Sequence, residues 1–282
     1  GLPEGSISAL NYASKLILLP QGVIVMALGT AIYPTLSERA AAGDDGGFGR
    51  ALLRAAKVVL LVALPAGVGL AVLREPVVRL LFARGAFDER DVAMTVFALL
   101  CYSFGLAGQC LGPVLTRGFY ALQDTATPVK VGVVTVALNI ALSIVLVRPL
   151  AHGGLALANS LAATFNVLVL FYLLARRVPG LGARSVLLFA AGAVLASLLA
   201  GGAAAVLDGY LAHLLAGGVL SLALRLVLDA LAGAVAFAGA CRLLRLDEYL
   251  YLEGLLWGVL GRVLSIAGKG RLYRPAKRNV RG

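Results

Sequence analysis

A single lysine, Lys15, lies in an apolar stretch that carries no other charge between Gly5 and Ser37. If a helix begins near Ser6, Lys15 is about nine residues in and roughly 14 Å along the axis. A cation at that depth in a membrane is costly, so Lys15 is the first candidate for binding an anionic group. A later helix start would instead let its long side chain reach the interface, and the sequence leaves that alternative open.

Neutral polar residues form a second candidate set in later apolar stretches. Asn139 and Ser143 are one helical turn apart, and Asn159 follows in the next stretch. Such oxygens could line an ion or substrate path, although these groups more often hydrogen-bond neighbouring helices. Arg225 and Asp229 have i,i+4 spacing, which predicts an ion pair near the outer end of the last apolar stretch, with no catalytic role.

No residue pattern indicates an enzyme or a metal centre. The cysteines Cys101, Cys110 and Cys241 form no CxxC pair, and the two histidines are far apart, so we expect neither disulfide nor zinc chemistry. Walker A, GxGxxG, HExxH and GxSxG motifs are absent from the sequence, which argues against the common soluble enzymes. We therefore predict no catalytic residue, no metal and no cofactor, and favour transport over an integral-membrane transferase.

The elements that position these residues follow from composition. Of the 282 residues, 60% are hydrophobic and only 14% charged, against about 25% charged in soluble domains. The net charge of +11 then belongs to loops and tails of a membrane protein, not to a surface that binds nucleic acid. We predict an all-α polytopic helix bundle, because about 20 apolar residues cross a bilayer as a helix. The seven predicted spans are 7–36, 57–73, 92–115, 128–147, 153–175, 185–207 and 219–241.

Charge and proline placement refine this picture. Of the 25 Lys and Arg residues, 18 lie in the tail and in the loops after the first, third and fifth spans, which predicts a cytoplasmic C-terminus. Residues 247–267 read as an amphipathic interfacial helix, followed by a basic tail. Proline occurs within the first three spans, as Pro20, Pro34, Pro65 and Pro113, where it permits kinks.

Ordered stretches of the chain carry a family resemblance. They are ALNYASKLILLPQGVIVMALGTAIYPTLS from Ala9, LLFARGAFDERD from Leu80, RGFYALQDTATPVK from Arg117 and GGLALANSLAATFNVLVLFYLL from Gly153. Together they resemble the MurJ (MviN) family of lipid II flippases in the multidrug/oligosaccharidyl-lipid/polysaccharide exporter superfamily. The third stretch is the most specific, and its motif residues are Arg117, Phe119, Tyr120, Asp124, Thr127 and Pro128.

The resemblance implies an architecture of fourteen helices, of which this chain would supply the C-terminal half. Residues 1–177 would form five helices of the second lobe, and residues 178–245 a terminal helix pair with a possible groove for a lipid tail. Residues 246–282 would form the interfacial helix and the cytoplasmic tail. The N-terminal lobe would then be a missing partner.

The resemblance also implies a function: translocation of the undecaprenyl-diphosphate-linked peptidoglycan precursor across the bacterial inner membrane by alternating access. Lys15 stands where the family usually has arginine and would meet the diphosphate. Partners would be this lipid-linked precursor, membrane lipids and cell-wall synthesis enzymes. Asn139, Ser143 and Asn159 correspond to a cation site of sodium-coupled members, but Ser143 replaces an expected acid, so we predict no such sodium site. Two alternatives stay open, an exporter of another polyprenyl-linked oligosaccharide and a non-transporting membrane scaffold.

Overall fold

The computed structural model describes residues 3–85, 87–215, 217–246 and 248–249, except for the side chains of residues 27–32. These residues form α-helices, with no strand in the described part of the chain. The helices are α1 (Ser6–Ala41), α2 (Asp45–Val72), α3 (Arg74–Phe82), α4 (Glu89–Ser103), α5 (Leu106–Ala121), α6 (Ala126–Ala175), α7 (Ala183–Leu214) and α8 (Val219–Leu243). The predicted interfacial helix and basic tail lie outside the described residues, apart from Glu248 and Tyr249.

The helices have the length and composition of membrane spans. In the part of the chain that the structure describes, five helices are long and apolar enough to cross a bilayer: α1 over Ser6–Met26, α2, α6, α7 and α8. Helices α4 and α5 meet the same criteria together, as one span bent by 42°. The prediction of an all-α polytopic membrane bundle is confirmed.

The 50-residue helix α6 is a hairpin of two antiparallel halves. Ala151 has φ 46° and ψ −128°, which interrupts the helix. Beyond the break the chain reverses direction and returns along the first half. The two halves are so close near the turn that a Cβ placed on Gly154 would lie only 2.2 Å from the Leu146 carbonyl oxygen. Further along, Asn166 donates a hydrogen bond to Thr135 across the two halves, at 3.0 Å. The halves, residues 126–150 and 152–175, correspond to the fourth and fifth predicted spans, and each is about 36 Å long.

Two helix boundaries differ from the predictions. Helix α2 begins at Asp45 rather than near residue 57, because its first turns bury Phe48 and Leu52 in the core while their charged neighbours stay at the surface. Asp44 caps this start by accepting a hydrogen bond from the backbone N–H of Gly47 at 2.8 Å. The short helix α3 lies in a segment that we expected to be a loop.

The bend between α4 and α5 lies at Phe104 and Gly105 rather than at a proline. Gly105 packs so closely against the second half of α6 that a Cβ there would lie 2.5 Å from the Cα of Ser160. The Ser160 hydroxyl donates to the carbonyl oxygens of Cys101 and Tyr102, at 2.8 and 3.2 Å. It therefore supplies a donor to the Cys101 carbonyl oxygen, which the bend leaves without a helical partner, and adds to the Gly105 N–H that donates to the Tyr102 carbonyl oxygen at 3.0 Å.

The core lies where α2, α4, α5 and the second half of α6 meet. Its large buried side chains include Phe48, Leu52, Leu99, Leu115, Phe119 and Leu170. By contrast, the first half of α6 and most of α8 expose aliphatic side chains such as Val133, Ile140 and Val235. An apolar surface of that extent fits contact with lipid or with further helices, not with water.

Candidate functional site

A groove of about 560 Å³ opens between α1, α5 and both halves of α6. Its lining differs from the surrounding apolar surface because it gathers amide, hydroxyl and guanidinium groups. The polar lining residues are Gln21, Gln109, Thr116, Arg117, Thr135 and Asn166. Polar groups on membrane helices commonly bond to one another or line a path for a polar substrate.

Hydrogen bonds between these groups hold the walls of the groove together. Gln109 of α5 donates its side-chain amide to Asn159 at 3.3 Å. Asn166 donates to Thr135, and the Thr135 hydroxyl donates in turn to the Val131 carbonyl oxygen at 2.8 Å. The groove therefore has a wall of linked amides and hydroxyls whose positions are fixed by three helical segments.

The structure brings together only part of the predicted path-lining set. Ser143 donates to Asn139 at 3.4 Å, a long hydrogen bond within the first half of α6. Asn159 instead bonds Gln109 of α5, and in the described part of the chain it has no hydrogen bond to Asn139 or Ser143. Sequence reasoning missed Thr135, although it lies one turn before Asn139 on the same helical face.

Arg117 contributes a cation to the groove. It lies near the end of α5, and its Nη1 is buried without a hydrogen-bond partner among the described residues. Tyr120, one turn later, also lines the groove and is exposed. A guanidinium in the groove lining can donate hydrogen bonds to an anionic oxygen of a ligand.

The other motif residues build a joint between α5 and α6. The Asp124 carboxylate accepts from the Thr127 hydroxyl at 2.6 Å and from the Thr127 backbone N–H at 2.9 Å, and it forms an ion pair with Arg177. These hydrogen bonds lower the pKa of Asp124 from its ordinary value to about 2. Phe119 is fully buried, with the Arg177 guanidinium 5.8 Å from its ring centre. Pro128 is buried in the first turn of α6, where proline is tolerated.

Lys15 lies on an exposed face of α1, outside the lining of the groove. Because α1 begins at Ser6, the helix start assumed for a deeply placed lysine is confirmed. The Lys15 Nζ lies 5.7 Å from the ring centre of Tyr12 and has no ion-pair partner among the described residues. Lys15 precedes Gln21 of the groove by six residues, about 9 Å along the helix axis.

The predicted ion pair between Arg225 and Asp229 is wrong. Arg225 donates through Nη2 to Asp208 of α7 at 2.6 Å, whereas Asp229 has no hydrogen-bond partner in the part of the chain that the structure describes. The i,i+4 spacing permits a pair within one helix, but the antiparallel packing of α7 on α8 offers Arg225 a carboxylate across the interface. Within the described ranges no group of three or more His, Cys, Asp or Glu side chains could hold a metal ion.

A polytopic bundle of apolar helices with a polar, cation-bearing groove on one side has the features of a membrane transporter. The family model described as "Lipid II flippase MurJ" matches residues 2–228, and the chain belongs to this family of multi-pass inner-membrane proteins.

Individual relatives agree with this membership. The chain is 36% identical over 170 residues to a protein from Vibrio cholerae named "Probable lipid II flippase MurJ", and 35% identical over 176 residues to "Lipid II flippase MurJ" of Burkholderia cenocepacia. These matches cover 60% and 62% of this chain but only 32% and 34% of the relatives. The chain therefore spans about a third of the length of the curated relatives that it matches.

Solved structures show the same architecture. A structure titled "Lipid II flippase MurJ, inward closed conformation" superposes with a TM-score of 0.69 at 26% identity, covering 86% of this chain and 48% of that one. An outward-facing multidrug resistance transporter of the MATE family and the MOP superfamily has a TM-score of 0.56 at 17% identity, with 98% and 66% covered. The second likeness concerns the fold alone.

Proposed function

We propose that this chain is the C-terminal part of a lipid II flippase. It would translocate the undecaprenyl-diphosphate-linked peptidoglycan precursor across the inner membrane by alternating access, together with an N-terminal lobe that this chain does not contain. Residues 1–177 would belong to the second lobe and residues 178–245 to a terminal helix pair with a groove for a lipid tail. Family membership supports this assignment, and the position of the Lys15 ammonium group is the structural observation that supports it.

That observation is the exposure of Lys15 on α1. Its ammonium group lies beyond the ninth residue of a helix long enough to span the membrane, and no acidic group of the described residues neutralises it. A diphosphate entering a low-dielectric cavity needs charge-assisted hydrogen bonds, which an unpaired ammonium can donate. Lys15 would therefore bind the diphosphate, on a face that is open to a second lobe.

The groove supplies a second set of polar contacts. The Arg117 guanidinium lines the groove and can donate hydrogen bonds to an anionic or sugar oxygen. Asn139, Ser143 and Asn159 would line the path as neutral groups, since the hydrogen bonds of all three are to side-chain amides and a hydroxyl. Without a carboxylate among them, they offer a weak site for a hard cation.

An ion pair supports the proposed orientation with a cytoplasmic C-terminus. Lys57 of α2 contacts Glu248, just after α8, with 2.7 Å between Nζ and Oε1. The segment after α8 therefore lies beside the N-terminal half of α2, which also contains Arg50 and Arg54. Basic loops face the cytoplasm in inner-membrane proteins, so both segments are assigned to that side.

The test is complementation of a flippase-depleted bacterium. This chain alone and the chain joined to its upstream coding sequence are expressed, with membrane insertion checked, and growth and lipid II translocation are measured. We expect only the long form to restore both. If neither form rescues despite normal insertion, the substrate assignment fails, and another polyprenyl-linked oligosaccharide or a scaffold role takes its place.

The same assay tests Lys15 within the long form. Lys15→Ala should abolish translocation at normal membrane levels, whereas Lys15→Arg should retain it because the charge is kept. Lys130→Ala is the matched control, since Lys130 is an exposed lysine near the start of α6, outside the groove. Full translocation by Lys15→Ala would refute the role given to this residue.

A further inference from the structure

Three charged side chains meet inside the membrane-spanning helix pair α7 and α8. Asp208 belongs to α7, whereas Arg225 and Asp229 belong to α8. Asp229 is ten residues beyond the helix start at Val219, about 15 Å along the axis, and so about half-way across a hydrocarbon layer of roughly 30 Å. Ionisable groups at that depth are functional candidates by default.

The pairing within this cluster is incomplete. Arg225 donates to Asp208 at 2.6 Å, while its Nε is buried without a partner among the described residues. Asp229 is 0% exposed, and among the described residues no donor group hydrogen-bonds to its carboxylate oxygens, although the Asp208 carboxyl group is close enough to interact with it. One guanidinium thus lies near two carboxyl groups and neutralises only one of them.

Asp229 also lines a large apolar cavity. The cavity measures about 550 Å³ and lies between α1, α2, α3, α7 and α8. Its walls include Leu16, Pro65, Leu70 and Phe237, and among the described residues Asp229 is the one lining group that can titrate. Water and hydrogen-bond donors that would stabilise an ionised carboxylate are therefore scarce in this cavity.

Other charged groups on the neighbouring elements are engaged elsewhere. Arg74 of α3 donates to the Ala71 carbonyl oxygen, and Glu75 pairs with Arg79 at 3.0 Å. Lys57 of α2 pairs with Glu248, and Lys15 of α1 is exposed outside the cavity lining. His213 lies near the end of α7, more than a helical turn beyond Asp208. Asp208 and Arg225 are thus the charges that face Asp229.

We propose that Asp229 is a proton-binding site of the terminal helix pair. While Arg225 is paired with Asp208, the Asp229 carboxyl carries a proton and is neutral. If the guanidinium turns to Asp229, which its unpaired Nε and the i,i+4 spacing allow, the proton passes from Asp229 to Asp208. Each arrangement holds one cation, one carboxylate and one carboxylic acid, so the cluster stays neutral when the pairing changes.

This inference goes beyond the proposed flippase activity. Asp229 lies one residue outside the stretch that matches the family model. Proton binding there needs neither lipid II nor the N-terminal lobe, so its failure and the failure of the proposed function are distinguishable.

Carbodiimide labelling tests the proposal. Hydrophobic dicyclohexylcarbodiimide reacts with protonated carboxyl groups in apolar surroundings, and peptide mass spectrometry locates the adduct. In the full chain, reconstituted in vesicles, we expect an adduct on Asp229 and none on Asp208. Above the titration midpoint, labelling should fall about tenfold per pH unit. A water-soluble carbodiimide should modify exposed Asp45 in preference to Asp229.

Variants give a second readout. Arg225→Gln should add Asp208 as a labelled site, because that carboxyl loses its cation, whereas Arg225→Lys should keep the single adduct on Asp229. Asp229→Asn should remove the adduct. The proposal is overturned if folded wild-type chain carries no adduct on Asp229, if Asp208 reacts first, or if labelling is independent of pH.

Discussion

Substituting Gly105 by alanine tests the packing that bends α4 and α5 around α6. The new methyl group would lie 2.5 Å from the Cα and 2.7 Å from the Cβ of Ser160, whereas carbon atoms in contact are normally about 3.5–4.0 Å apart. The two helices would have to separate locally by about 1 Å. Overpacking of this kind costs about 1–3 kcal/mol, which corresponds to a fall of about 2–10 °C in the apparent unfolding temperature.

A thiol-reactive fluorophore can measure this change in detergent. Cys101, Cys110 and Cys241 are free and buried, so they react only when the bundle opens. Gly132→Ala is the matched control, because a Cβ at Gly132 meets no atom within 4 Å. It should leave the unfolding temperature unchanged or raise it slightly through higher helix propensity. Equal stability of Gly105→Ala and wild type, or equal losses in both variants, would refute the packing argument.

Two further changes probe the hydrogen bonds around α6. Ser160→Ala removes the donor to the Cys101 and Tyr102 carbonyls, and should cost about 1–2 kcal/mol by the same thiol assay; unchanged stability would show that other donors satisfy the bend. Asp124→Asn should lower the apparent unfolding temperature at pH 7 by about 2–4 °C. Because the pKa of Asp124 is lowered to about 2 from an ordinary 3.8, its stabilisation is complete above about pH 4 and disappears as the pH falls towards 2. The unfolding temperatures of Asp124→Asn and wild type should therefore converge over that range, and a constant difference would contradict the assignment.

The helices could be predicted from the sequence wherever charge marks their ends. Arg148 and Pro149 mark the gap between the fourth and fifth predicted spans, and the break in α6 follows two residues later, at Ala151. The start of α2 could not be found this way, because its first turns alternate buried apolar residues with Arg50 and Arg54. The stretch without charged residues, from which the span was predicted, begins only after those turns.

The site was harder to predict because its contacts join distant segments. Gln109 donates a hydrogen bond to Asn159, 50 residues away in the chain. Arg225 pairs with Asp208 on another helix and not with Asp229, one turn along its own helix. Local spacing identifies residues that could meet, but the packing of the helices decides which of them do. Lys15 is the exception, since its depth depends only on the start of its own helix.

The two halves of α6 are fastened along their length, with a tight turn at Ala151, a side-chain bond between Asn166 and Thr135, and the Asp124 and Arg177 ion pair at the open end. The hairpin is therefore held rigid by contacts at both ends and in the middle. Gln109 and Ser160 attach α5 to it as well. A rocking motion of this lobe would therefore carry α5 and both halves of α6 together as one rigid body.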